Sequence, residues 1–184
     1  MNDATTPAGT PDGPAAPDAP RSPVTAVLAL GSNLGERSDT LSNAVADLVA
    51  HPQMRLCQVS EVVQTRPVGG PDGQPDYLNM VLEVETTLAP VALLRHCQSV
   101  EDAHHRVRGV RWGPRTLDVD IITYGEVELD LPELTIPHPR AAERAFVLQP
   151  WAWMDPDAQL GGTPVGELAS RAPDLDGLEP YAGG

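Results

Sequence analysis

At 184 residues and a formal net charge of -14, with 26 acidic against 12 basic side chains, the chain has the length of one ordinary domain and a mean field that repels nucleic acid and anionic lipid. All 12 basic residues are arginine, which excludes a lysine-bearing Walker phosphate loop and leaves guanidinium forks or backbone amides to grip any anion. Cys57 and Cys97 form no CxxC pair and no apolar run reaches the roughly 20 residues of a bilayer span, so the expectation is a cytoplasmic protein with reduced thiols.

Residues 1–23 carry prolines at regular intervals and hardly any large apolar side chain, the composition of a disordered tail. The continuous apolar run from Val24 to Leu30 predicts a buried strand, closed by the Gly31-Ser-Asn turn. Leu41, Val45, Leu48 and Val49 then recur at helical spacing, with Ser38 or Asp39 available as the cap. Met54 to Gln64 predicts a second strand and Thr65 to Pro75, rich in glycine and proline, a loop. Tyr77 to Thr86 alternates as a third strand. Pro90 opens a helix whose apolar face is Leu93, Leu94, Cys97, Val100 and Ala103. After a glycine-punctuated break, Leu117 to Tyr124 predicts a fourth strand. The order βαββαβ is that of a ferredoxin-like α+β sandwich, an antiparallel sheet with helices on one face. A short hairpin near 127–131, the IPHP turn at Ile136 to Pro139 and a helix near 141–154 complete a domain over 24–170. Residues 155–184 are weakly patterned, and 171–184 are read as a flexible C-terminus.

Asp118 and Asp120 are two apart on the predicted fourth strand, so both carboxylates leave one face while Val119 and Ile121 enter the core. At about 6 Å they repel by about 3 kcal/mol at an effective dielectric near 20, which calls for a cation. Hard oxygen ligands on a rigid strand suit Mg²⁺, which takes its remaining ligands from water and phosphate. Arg106, Arg108, Arg111 and Arg115 lead directly into the pair, so metal on one side and guanidinium on the other describe a polyphosphate site. Trp112 among them is unfavourable in water unless it closes over something. Tyr77 and Asn79 share a strand face and offer a ring and an amide to a heterocycle. Against these stand blander readings: a solvated acidic edge, arginines paired with surface acids, and a tyrosine packed at a sheet end.

The segments GSNLG, QPDYLN, RWGPRTLDVDI and IPHPR together resemble those of the 6-hydroxymethyl-7,8-dihydropterin pyrophosphokinases of folate biosynthesis, and the resemblance runs from about Val24 to about Trp151. It implies an enzyme that moves the terminal pyrophosphoryl unit of ATP onto the pterin's hydroxymethyl oxygen, releasing AMP. It further implies Asp118 and Asp120 as ligands of two Mg²⁺ ions, Arg106 and Arg115 as the phosphate-neutralising pair, and Arg108 and Arg111 on a closing loop with Trp112 in the lid. Tyr77 and Phe146 are similar in position to rings that sandwich the pterin, Asn79 to its hydrogen-bonding amide, and Gly31, Asn33, Thr65 and Val68 to further pterin contacts. Gln98, Glu101, Ile121, Thr135, His138 and Arg144 correspond to positions around the nucleotide. The resemblance leads us to expect a monomer acting on ATP and a reduced pterin alcohol, with no nucleic acid or membrane partner. Two departures are visible: the loop between Arg108 and Trp112 is one residue shorter than in some relatives, and Pro139 stands where certain members carry tyrosine.

Two other classes share features of this pattern. RNA-recognition domains have the same βαββαβ order, but the negative charge and the scarcity of aromatics oppose that reading. A different Mg²⁺-dependent transferase would use the aspartate pair without the pocket of Tyr77, Asn79 and Phe146.

Overall fold

Period-two alternation over Tyr77–Thr86 and the apolar run at Val24–Ser32 build the centre of the molecule in the computed structural model, which describes residues 17–67, 73–104 and 116–183. In chain order the elements are β1 (Val24–Ser32), α1 (Arg37–Val49), β2 (Met54–Val59), β3 (Val63–Thr65), β4 (Tyr77–Thr86), α2 (Pro90–Ala103) and β5 (Asp118–Tyr124). They are followed by β6 (Leu129–Asp130), β7 (Thr135–Ile136), α3 (Ala145–Met154), β8 (Gln159–Leu160), β9 (Thr163–Pro164), α4 (Val165–Arg171) and β10 (Leu178–Pro180). The main sheet runs β10-β3-β4-β1-β5, wholly antiparallel, with β2 also on β4. This is the ferredoxin-like α+β arrangement.

Ala26, Leu28 and Leu30 of β1 pack with Leu41, Ala44 and Leu48 of α1 and Leu93, Cys97 and Val100 of α2, forming the larger core on one face. Val27, Val81 and Ile122 face the other way, against Val147, Leu148 and Trp151 of α3 and Val165 and Ala169 of α4. Ile122 shares the parity of Asp118 and Asp120, so strand alternation alone turns it toward α3, and a bulge in β5 then switches the face of the residues that follow, putting Tyr124 in the larger core. Leu28 pairs with Ile121 and Val27 with Thr123, so Ile122 is the extra residue of that bulge.

Several expectations need correction. The strand expected over Met54 to Gln64 is broken at Ser60, whose hydroxyl accepts the Val81 N–H at 2.8 Å, so β2 and β3 sit on opposite halves of β4. Thr65, assigned to the loop, is the last residue of β3. Helix α1 begins at Arg37 with no side-chain cap, and Ser38 and Asp39 lie inside its first turn, where the Asp39 charge still favours the dipole. The helix expected over 141–154 is a 3₁₀ turn at Ala141–Glu143 followed by α3. Residues 171–184, expected as a flexible end, carry β10, because the Leu178, Glu179 and Pro180 backbone completes the open side of β3. In the proline-rich segment, residues 17–23 hold no regular element and residues 1–16 lie outside the described range. No helix among the described residues is long and apolar enough to cross a membrane.

Candidate active site

The register of the sheet sets the site. On the face that carries α3, Asp118 of β5 lies opposite Gly31 of β1, and Gly31 lies opposite Asn79 of β4. One row along, Asp120 lies opposite Ala29 and Ala29 opposite Val81. The central strand therefore presents only a hydrogen and a methyl between the acid pair and the Tyr77–Asn79 pair. The result is a cavity of about 460 Å³ whose floor includes Ala29 and Gly31. Asp118 and Asp120 line one end, Tyr77, Asn79 and Thr65 the other, and Phe146 of α3 forms part of the wall.

The ring-lined end is braced from behind. Asn79 donates through Nδ2 to Thr65 Oγ1 at 2.8 Å in a buried hydrogen bond, which fixes the amide and turns Oδ1 toward Gly31. The segment leading into Tyr77 is held by three side chains. Asn33 Nδ2 donates to the Pro75 carbonyl at 3.2 Å, Arg37 Nη1 to the Asp76 carbonyl at 2.5 Å, and Gln64 Nε2 to Asp76 Oδ2 at 3.0 Å.

At the acidic end, Asp120 Oδ2 stands 3.6 Å from Arg144 Nη1 and 3.8 Å from His138 Nε2. Burial opposes the Arg144 charge, and Asp120 supports it. The guanidinium carbon of Arg144 lies 5.5 Å from the centre of the Phe146 ring, a cation–π contact joining the two ends of the pocket. His138 Nδ1 accepts the Arg140 N–H at 3.2 Å, which leaves the ring proton on Nε2, facing Asp120. Burial, then the nearby Arg144 charge, lowers the His138 pKa from 6.5 to about 4 against the opposing pull of Asp118. The imidazole is therefore neutral at pH 7. The unfolded state takes up the proton first as pH falls, so the stability cost of His138 is absent above pH 6.5, grows from there down to about 4 and stays in full below that. A ring-proton NMR titration of the ligand-free protein should place its midpoint near pH 4; a midpoint at 6 to 7 would contradict the burial.

The structure brings Gly31, Thr65, Tyr77, Asn79, Asp118, Asp120, His138, Arg144 and Phe146 onto one cavity. It puts five other expected positions elsewhere. Asn33 serves the 75–76 backbone. Glu101, 2 % exposed, accepts the Val119 N–H at 2.8 Å behind β5 and is a support of the strand. The Ile121 side chain enters the α1–α2 core, because β-strand alternation turns it away from Asp120. Gln98 accepts from Arg95 at 3.0 Å on the outer side of α2, and Thr135 donates to Asp130 at 3.3 Å within the β6–β7 hairpin. Val68, Arg106, Arg108, Arg111, Trp112 and Arg115 lie outside the described residues. Sequence reasoning did not name Arg66, Arg140, Glu143 or Asp174, all of which line the cavity. An arginine two residues after the rigid His138 is the one signal that pointed to any of them.

The donor set fits a hard divalent cation. Two carboxylates project from one rigid strand, and among the described residues no group of three or more His, Cys, Asp or Glu could enclose an ion. Such a half-site suits a hard divalent cation that keeps waters and binds substrate phosphates, and does not suit a fully protein-ligated structural metal.

A ferredoxin-like sheet with an acid pair and arginine at one end of a cavity and rings with an anchored amide at the other defines a phosphoryl-transfer type of enzyme with a heterocyclic co-substrate. The chain belongs to the 7,8-dihydro-6-hydroxymethylpterin-pyrophosphokinase (HPPK) family, whose model matches residues 27–156. Relatives named 2-amino-4-hydroxy-6-hydroxymethyldihydropteridine pyrophosphokinase include one from Pseudomonas aeruginosa, 43% identical over 157 residues, covering 85% of this chain and 96% of the relative. Another, from Bacillus subtilis, is 45% identical over 127 residues, covering 69% of this chain and 75% of the relative. A crystal structure of Plasmodium falciparum HPPK-DHPS superposes with a TM-score of 0.65 at 12% identity, covering 86% of this chain. The chain spans 46% of that longer protein, and the likeness bears on the fold.

Proposed function

We infer that the protein transfers the pyrophosphoryl group of ATP to 6-hydroxymethyl-7,8-dihydropterin in folate biosynthesis. The observation that carries this reading is a single cavity with the acid pair at one end and Tyr77, Asn79 and Phe146 at the other. Family membership supports it. The pterin's hydroxymethyl oxygen forms a bond to the β-phosphorus of ATP, the bridging bond to the α-phosphate breaks, and AMP leaves with the bridging oxygen. The hydroxyl proton is released to water.

Phosphoryl-type transfer depends on alignment and charge neutralisation more than on covalent help, so a pocket without a poised nucleophile suits the reaction. Asp118 and Asp120 hold Mg²⁺, two ions with ATP, which supplies charge neutralisation to the phosphates. Arg144, stacked on Phe146 and steadied by Asp120, offers a cation between the two ends of the pocket. Tyr77 and Phe146 stack on the pterin, and Asn79 Oδ1 accepts from its amino or ring N–H groups. By the resemblance in sequence, Arg106 and Arg115 are assigned to neutralise the phosphates, with Arg108, Arg111 and Trp112 assisting. The protein works as a cytoplasmic monomer without a nucleic acid partner.

Purified protein incubated with ATP, Mg²⁺ and the reduced pterin alcohol should yield AMP and the pterin diphosphate on chromatography. ADP or free pyrophosphate as the stoichiometric product would refute the reaction.

The brace behind Asn79 gives a more local test. Thr65→Val keeps the shape and removes the acceptor, stranding a buried amide donor at a cost of about 1–3 kcal/mol. The expected result is a pterin KM raised about tenfold, with kcat changed by less than about threefold and KM for ATP unchanged. An equal rise in both KM values would show that the brace does not act on the pterin end.

A further inference from the structure

The α3 helix delivers Phe146 to the pocket from its first turn, with Arg144 as the residue just before it. That turn has no cap of its own: Arg144 occupies the N-cap position and makes no side-chain capping bond. The acceptor comes from 29 residues downstream, where Asp174 Oδ1 takes the Ala145 N–H at 2.8 Å. Asp174 and Pro173 themselves line the cavity. The aspartate is held firmly on both sides. Before it, α4 packs on α3 through Val165 and Ala169; after it, β10 pairs with β3, the strand whose Thr65 orients Asn79. The 172–180 segment thus joins α3 to the β3 edge of the pocket.

We propose that Asp174 is a positioning residue: by capping α3 from the C-terminal segment, it fixes the turn that presents Phe146 to the pterin end of the cavity and Arg144 toward Asp120. The proposal rests on the pyrophosphokinase reading for its substrate and on geometry for everything else. A helix start without its acceptor frays by a residue or two, and here the frayed residues would be the ones that form the wall. The Asp174 carboxylate also favours the Arg144 charge against burial, though less than Asp120 does.

The experiment compares Asp174→Ala, which removes acceptor and charge, with Asp174→Asn, which keeps an Oδ1 acceptor, both in the full chain. With ATP saturating, the alanine variant should raise the pterin KM about fivefold with kcat within about threefold, and the asparagine variant should return KM to within about twofold of the original. Hydrogen exchange at the Ala145 amide should accelerate about fivefold in the alanine variant and stay near its original rate in the asparagine variant. If Asp174→Ala does not fold, Asp174→Ser, whose hydroxyl is too short to span the gap, replaces it in both measurements. An unchanged pterin KM in the variant lacking the acceptor overturns the proposal whatever happens to Tm, as does equal impairment in Asp174→Asn. Failure of the unmodified chain to make AMP and the pterin diphosphate would instead remove the functional reading. Ala145 exchange, which needs no substrate, would then still test the cap, and no acceleration there would remove that too.

Discussion

Asp118→Ala and Asp120→Ala should each lower turnover by at least about 10³-fold, because charge neutralisation at a transferring phosphate by a bound cation amounts to several kcal/mol and each 1.36 kcal/mol is tenfold in rate. Pterin affinity, measured by titration without nucleotide, should stay within about threefold of the original, since Tyr77, Asn79 and Thr65 sit at the other end of the cavity. The two variants should differ in stability. Asp120 is the partner of Arg144 at 3.6 Å and Asp118 is not paired with it in this way, so Asp120→Ala alone leaves a largely buried guanidinium without its nearest counter-charge. Normal AMP release from either variant would remove the metal assignment.

Gly31→Ala should raise the pterin KM about 30-fold while leaving the fold intact. A Cβ built at Gly31 falls 2.8 Å from Asn79 Oδ1, closer than real Cβ contacts come, so the amide must move. Asn79 cannot rotate without breaking its 2.8 Å bond to Thr65. The added methyl also occupies the floor between the acid pair and the rings. A loss of about 2 kcal/mol from a misplaced amide and a filled floor corresponds to that factor. Gly31 is not at positive φ, so steric conflict with Asn79 and not backbone strain is the cause. An alanine variant with unaltered KM would show that the pterin does not lie over β1.

Much of this site was legible because its parts obey a local period. Tyr77 with Asn79 and Asp118 with Asp120 are each two apart on strands, and that spacing alone puts each pair on one face. Register brought the pairs together, and register follows from which strands become neighbours, a long-range choice that no local period announces. The same alternation argues against placing the Ile121 side chain near the nucleotide. Position in a motif had suggested it, but its parity with Val119 sends it to the opposite core. Glu101 was placed around the nucleotide by resemblance alone; α2 lies across β5 and delivers it to a backbone amide instead. Asp174 was illegible for a different reason. Its partner is 29 residues away, and the intervening chain turns through β8, β9 and α4, each too short to leave a strong pattern.

The acid pair lies on β5, the outermost strand at its end of the sheet. An unpaired margin of that kind can template the addition of a foreign strand and so seed aggregation. Here two of its backbone groups are already taken: Glu101 accepts the Val119 N–H, and the Ile122 carbonyl accepts the His138 N–H at 2.9 Å. With two negative side chains standing beside these occupied positions, the rim that carries the acid pair offers an incoming strand fewer free backbone groups and a like-charge barrier.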